Sequence, residues 1–256
     1  MKLLVKLGGT LLDDAASRQR LAGELATVAA EHQLVVVHGG GKQMTRYLAE
    51  RGVESTFVHG LRVTTPEVVD AILKVFAGTV NHELVASLVA AGARSVGLTG
   101  IDAALTEAER VSAELGQVGK PTRTNPALLD LLTENGYLPV IACVAGNRQG
   151  EIFNVNADQM AISVAVGFGA ERLCFLTDVP GVKSADGQVI EVLTALGASQ
   201  LIADAVATGG MEAKLVSACE ALAGGVGSVT IAPGAAPGIL AQLLRGEAVG
   251  TRMVAG

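Results

Sequence analysis

The sequence predicts an α/β fold: a mostly parallel central sheet with helices on both faces, an αβα sandwich arranged as two lobes. Three observations predict it. Short apolar runs alternate with longer segments of helical period, and Gly or Asp marks the joins. Half of the chain is hydrophobic but only 3% is aromatic, so the core must be built from Val, Leu, Ile and Ala. That composition suits buried parallel strands covered by Ala-rich helices. The length of 256 residues is enough for one large α/β domain or two smaller lobes sharing a sheet.

Residues 3–7 read as the first strand and end on a glycine pair; residues 14–31 follow as a helix. Residues 34–37 form the next strand and 43–51 the next helix. Helices are expected over 66–75 and 80–91, with Pro66 in a first turn capped by Thr64 or Thr65. Residues 96–98 and 139–142 are strands, each bounded by turn residues. A helix over 156–167, a strand at 173–176, a helix near 211–222 and a strand at 229–232 complete the alternation. The stretch Gly167-Phe168-Gly169 closes one helix and precedes a new βα series. It divides the chain into an N-terminal lobe, residues 1–168, and a C-terminal lobe, residues 169–256.

The formal net charge of -6, with no run of Lys or Arg, gives no footprint for nucleic acid. No stretch reaches the roughly 18 consecutive apolar residues of a membrane helix. The first residues enter a strand directly and lack the long apolar region of a signal peptide. Cys143, Cys174 and Cys219 have no metal-ligand spacing and read as buried free thiols in a reducing compartment. A cytoplasmic protein is expected.

Four segments carry chemistry. Lys6-Leu7-Gly8-Gly9-Thr10 stands at the end of the first strand, where open α/β sheets bind their ligands. Its glycines let backbone N–H groups approach an anion, although an ordinary turn with a solvated lysine explains it equally. His38-Gly39-Gly40-Gly41-Lys42 follows the second strand. Three glycines in a row are costly in chain entropy unless close backbone approach is needed. The segment is not a Walker A loop, because Val36 stands where that loop needs its first glycine, and its spacing is not that of a dinucleotide fingerprint. His38 invites a role as a base; the competing reading is the structural role usual for a histidine closing a buried strand. In Asn154-Val155-Asn156-Ala157-Asp158, Asn156 can cap the following helix and Asp158 suits its first turn. Capping leaves Asn154 in need of another partner. Gly209-Gly210-Met211-Glu212-Ala213-Lys214 opens a helix with a lysine near its positive end, an arrangement that favours a nearby anion.

Together these segments resemble the amino acid kinase family, in its acetylglutamate branch. The matching pieces run in one order: residues 6–12 (KLGGTLL), 37–41 (VHGGG), 60–64 (GLRVT), 154–159 (NVNADQ), 177–182 (TDVPGV) and 209–214 (GGMEAK). The resemblance implies ATP-dependent phosphorylation of the γ-carboxylate of N-acetyl-L-glutamate. It implies that Lys6 and Lys214 stabilise the transferring phosphoryl group and that Asp158 holds both lysines. Arg62 and Asn154 match residues gripping the substrate's α-carboxylate and amide region, and Gly39 and Gly40 match glycines whose amides touch it. The nucleotide is expected at Gly8, Gly9, Asp178, Val179, Gly181, Val182, Thr208, Gly210 and Met211. Mg²⁺ is expected on the nucleotide's phosphate oxygens, with no dedicated protein metal site. The implied N-terminal lobe holds the amino acid and the C-terminal lobe holds ATP.

The residue types suit that reaction. A carboxylate is already ionised at neutral pH and needs no general base. The obstacle is bringing it against a polyphosphate, which positive charge and positioning overcome. Two stretches depart from the family pattern: Ile101 and Ala103 stand where a lysine and a glycine are usual, and Lys42-Gln43-Met44-Thr45 is less typical after the glycines, bordering the site without defining it. The resemblance also implies a homodimer, without the N-terminal helix that accompanies arginine inhibition. A kinase for carrier-linked aminoadipate and a non-catalytic ligand sensor are the competing readings. The acidic net charge and the GLRVT segment oppose the former; the presence of Lys6, Lys214 and Asp158 opposes the latter.

Overall fold

The computed structural model describes residues 1–255. Strand β1 (Lys2–Leu7) buries all but its first residue, as a strand covered on both faces must. A 3₁₀ turn (Gly9–Leu12) leads to α1 (Ala15–Glu31), whose cap Asp14 accepts the Ser17 N–H at 2.8 Å. Then come β2 (Gln33–His38), α2 (Gly41–Ala49) and a small hairpin, β3 (Phe57–Val58) with β4 (Leu61–Arg62). Of the two candidate caps, Thr65 is the one that starts α3 (Pro66–Ile72). That helix runs through a π-helical stretch, Leu73–Val80, into α4 (Asn81–Ala90). The two helices expected here are therefore one continuous run of 25 residues. By length and composition the run matches a membrane span, but Val68, Ile72, Phe76, Val80, Leu84 and Leu88 are buried in the core.

The chain continues as β5 (Ser95–Thr99), β6 (Thr106–Arg110), β7 (Val118–Thr124), α5 (Ala127–Glu134), β8 (Leu138–Ala142), β9 (Val144–Gly146) and β10 (Ile152–Val155). The remaining elements are α6 (Ala157–Phe168), β11 (Arg172–Thr177), β12 (Val192–Thr194), α7 (Ala195–Ala203), α8 (Gly209–Ala223), β13 (Ser228–Pro233), α9 (Ile239–Leu244) and β14 (Thr251–Val254).

Eight strands form one sheet in the order β12-β14-β13-β11-β1-β2-β8-β5. Its neighbours pair in parallel except β13 with β14. Helices α1, α4 and α9 pack on one face and α5, α6 and α8 on the other. Lys2 points to the second face, where its Nζ bonds Asp130 of α5 at 2.7 Å and the Phe168 carbonyl closing α6 at 3.0 Å. The core is aliphatic, as the composition requires, with Phe153, Phe168 and Phe175 its largest fully buried side chains.

A closed four-stranded barrel, β10-β7-β6-β9, stands beside the sheet. Nothing in the hydrophobic pattern announces it. Its strands β6 (TEAER) and β7 (VGKPTRT) are largely polar, and β7 carries Pro121 opposite a register shift at Glu107 and Ala108. The boundary drawn at residue 169 lies between α6 and β11. The β1–β11 pair there joins the two halves in one sheet.

Candidate active site

The parallel strands β1, β2, β8 and β11 end on one edge of the sheet. β1 lies between β2 and β11, so the chain connections diverge to either side of it and leave a crevice at its carboxyl end. The Gly8 N–H donates to the Leu176 carbonyl at 3.0 Å, tying the first turn to β11. Gly9 faces the second loop: a Cβ there would lie 3.3 Å from the Gly41 nitrogen. A Cβ on Gly40 would lie 2.8 Å from the Phe76 ring. Gly40 is extended, so close approach, and not an unusual backbone angle, demands glycine. Gln43 stitches the two loops by donating from Nε2 to the Gly9 carbonyl at 3.0 Å. Both α2 and α8 begin without a side-chain cap, which leaves the earliest N–H groups of each available to an anion; in α8 those of Met211 and Glu212 are already given to the Thr208 carbonyl.

Lys6, Asp158 and Lys214 meet at this point. Lys6 is 9% exposed, and its Nζ lies 2.7 Å from Asp158 Oδ1. Lys214 reaches across from α8 and donates to Asp158 Oδ2 at 3.0 Å. Each element has one task here. β1 delivers Lys6 on the face of α6, α6 presents Asp158 in a first turn capped by Asn156, and α8 packs on α6. Burial opposes ionisation of Asp158, but the Lys6 and Lys214 ammoniums overcome it and hold the carboxyl below its usual range. Two cations on one anion leave an excess positive charge in a nearly dry place, which suits a polyanion at the crevice.

Arg62 and Asn154, far apart in sequence, are joined through Thr64. Asn154 Nδ2 donates to the Thr64 hydroxyl at 3.0 Å, which in turn donates to the Arg62 carbonyl at 2.8 Å. The Thr64 backbone also pairs with the barrel at Leu115 and Gln117. The barrel therefore serves to lock Asn154 of β10 beside β4. Arg62 is buried, and among the described residues no carboxylate lies within ion-pair distance of its guanidinium. Burial pulls its pKa down. A buried guanidinium without an acid is a site prepared for an anionic ligand.

On the other side of the crevice, a cleft of about 300 Å³ is lined by Val179, Pro180, Gly181, Lys183, Val206, Ala207, Thr208 and Met211. Two segments separated in sequence, 179–183 and 206–211, thus line one cleft. Asp178 is exposed next to Val179, and Gly210 is the second residue of α8. Val182 differs: its side chain is fully buried and its N–H donates to Thr251 at 2.8 Å, so it supports the wall from behind. At the departures from the family pattern, Ile101 is exposed and Ala103 adopts φ 52°, a left-handed conformation that costs an alanine about 1 kcal/mol.

His38 is structural. It is fully buried, with Nδ1 2.8 Å from the Gly39 carbonyl and Nε2 2.9 Å from Asn81 Nδ2. Asn81 Nδ2 also donates to the Val140 carbonyl at 3.0 Å. These partners suit the neutral ring, donating from Nδ1 and accepting at Nε2. Burial pushes its pKa from 6.5 down to about 4. The unfolded chain therefore binds a proton between these values that the folded chain refuses. The stabilisation is whole above pH 6.5 and is lost as pH falls toward 4, by about 2 kcal/mol between pH 7 and pH 5. Urea unfolding at the two pH values should show this loss, and His38→Gln should remove most of it. Equal slopes in both proteins would reject the assignment.

Of the cysteines, Cys143 and Cys174 are buried, and burial pushes their thiols up to about 12 and about 11. Cys219, expected in the interior, is only partly buried, with its Sγ 3.9 Å from the Ala195 carbonyl of α7.

Residues 1–233 match the amino acid kinase family. An acetylglutamate kinase of Solibacter usitatus is 64% identical over 255 residues, 99% of either chain. The acetylglutamate kinase of Koribacter versatilis is 39% identical over 263 residues, covering 100% of this chain and 99% of its own. Among solved structures, N-acetylglutamate synthase of Neisseria gonorrhoeae, complexed with coenzyme A and N-acetyl-glutamate, superposes with a TM-score of 0.90 at 28% identity. That match covers 99% of this chain but 59% of the synthase chain.

Proposed function

The chain belongs to the amino acid kinase family, and from that premise we propose that it transfers the γ-phosphoryl group of ATP to the γ-carboxylate of N-acetyl-L-glutamate, the second step of arginine biosynthesis. The observation that carries this reading is Asp158 held between Lys6 and Lys214, at 2.7 and 3.0 Å, at the mouth of the crevice. On one side stands the cleft of residues 179–211; on the other stands the buried guanidinium of Arg62.

The carboxylate of the substrate attacks as the anion it already is, so no side chain need remove a proton. Arg62 and Asn154 anchor the α-carboxylate and acetamide end, with the amides of Gly39 and Gly40 alongside. This orients the γ-carboxylate toward the phosphoryl group. Gly8, Gly9 and the first turn of α8, Thr208 to Met211, cradle the phosphates, while residues 178–182 support the nucleoside. Lys6 and Lys214 neutralise charge on the oxygens of the group in flight, and Asp158 keeps the two ammoniums from repelling each other out of place. Mg²⁺, when bound, adds positive charge on the phosphate oxygens. It suits those oxygens better than Asp158, which is already committed to two lysines. Residues 1–168 would then form the amino-acid lobe and 169–256 the nucleotide lobe of a cytoplasmic homodimer. The carrier-linked aminoadipate reading is not favoured, since full-length relatives at 64% and 39% identity are acetylglutamate kinases.

Hydroxylamine trapping tests the proposal. Purified protein with ATP, Mg²⁺ and hydroxylamine should form a coloured hydroxamate with N-acetyl-L-glutamate and little with glutamate or aminoadipate. Absence of product with N-acetyl-L-glutamate would refute the assignment.

A further inference from the structure

The guanidinium of Arg62 is held by two hydroxyls and a ring. Its Nη2 donates to Thr45 Oγ1 at 2.8 Å, its Nη1 donates to Ser55 Oγ, and its Cζ lies 4.6 Å from the centre of the Phe57 ring. The Thr45 hydroxyl spends its single proton on the Gly41 carbonyl one turn earlier, at 2.9 Å. Its lone pairs are thereby turned toward Arg62. Thr45 belongs to α2, Ser55 to the loop entering β3, and Phe57 to β3 itself, so three separate pieces of chain converge on one side chain.

We propose that Thr45 and Ser55 are positioning residues that fix the Arg62 fork for the substrate's carboxylate without neutralising it, an inference that rests on the function proposed above. The chemistry of the tether supports this. Buried arginines are usually satisfied by a carboxylate, which fixes the guanidinium and cancels its charge together. Here every partner is neutral: two hydroxyls, a weakly placed Gly41 carbonyl at 3.4 Å and a ring face. Geometry is therefore set while the positive charge stays available. An arginine left unheld has several rotatable bonds to freeze when its ligand arrives, and holding it beforehand improves affinity by about tenfold. The acceptors divide between the two terminal nitrogens, Nη1 on Ser55 and Nη2 on Thr45 and Gly41, so the N–H groups they do not take are left for the ligand.

Steady-state kinetics of Thr45 and Ser55 variants test this. Thr45→Val keeps the shape and removes the acceptor; it should raise KM for N-acetyl-L-glutamate about tenfold, with kcat and the KM for ATP within about twofold. Ser55→Ala should act in the same direction, and Thr45→Ser should restore the wild-type KM. Thr45→Asp separates the proposal from a merely structural role. It keeps a strong tether but cancels the charge, so it should raise KM more than Thr45→Val does. If Thr45→Val leaves KM unchanged in an active enzyme, or Thr45→Asp binds substrate as well as wild type, the proposal is overturned. Should wild type fail to use N-acetyl-L-glutamate at all, the function reading falls, and ¹⁵N NMR of the substrate-free protein still decides the tether. Rotation of the Arg62 Nη groups should be slow in wild type and faster in Thr45→Val; equal rotation would overturn it.

Discussion

Replacing Lys6 by alanine is expected to lower kcat by about 10²- to 10³-fold, with the KM for N-acetyl-L-glutamate changed only a few-fold; Lys214→Ala should do the same. In the ground state the phosphates are already neutralised by other donors. Charge shifts onto the transferring group and the bridging oxygen only as the bond breaks, and an ammonium fixed in a nearly dry site acts on that shift most strongly. Lys6 meets those conditions: it is 9% exposed and held 2.7 Å from Asp158. The two variants should not multiply. Removing either lysine leaves Asp158 with one partner and lets the remaining ammonium pair more tightly with it, away from the phosphoryl group. The double variant is therefore expected to be little worse than either single one. Single-turnover rates read the chemical step directly. A kcat within tenfold of wild type for Lys6→Ala would remove this lysine from the mechanism.

Arg62→Ala should fall on binding instead: a KM for N-acetyl-L-glutamate raised about 10²-fold, with kcat within a few-fold. The guanidinium grips a carboxylate that does not react and whose charge is the same before, during and after transfer. Interactions of that kind contribute equally to ground and transition states. Arg62→Lys should recover only part of the loss, because an ammonium cannot meet Thr45 and Ser55 with the spread of a planar guanidinium or use the Phe57 face in the same way. Kinetics with substrate varied at saturating ATP check both variants. An unchanged KM in Arg62→Ala would move the carboxylate to another cation.

Asp158 shows how far local reading reaches. The cap at Asn156 and the acid in the first turn are legible because helix starts obey short-range rules, and the cap is formed by two N–H bonds to Asn156 Oδ1 at 2.9 and 3.3 Å. Its two lysine partners lie 152 and 56 residues away, and only the resemblance to a family pointed to them. Asn154 and Arg62 present the same case: their link is a single threonine, Thr64, whose hydroxyl and backbone bind three parts of the chain. Gln43 and Thr45 stood out only as part of an atypical stretch bordering the site, with no role attached, and Ser55 gave no signal. In sequence they are ordinary polar residues of an amphipathic helix and a loop, and what distinguishes them is the atom each one meets.

By itself the sequence determined the layered α/β fold, because alternation of apolar runs with helical periods depends on neighbours a few residues apart. It likewise determined that the core is aliphatic and that glycines crowd the ends of the first two strands. Only the tertiary structure decided the small barrel, whose strands β6 and β7 are largely polar and carry no alternating pattern that would announce it. It alone decided that Gly40 is demanded by the Phe76 ring and that Gly9 sits tightly against the second loop. It also decided that Arg62 would be buried with, among the described residues, no acid within ion-pair distance. Such features depend on which distant atoms arrive within a few ångströms of each other, and a one-dimensional pattern carries no record of that.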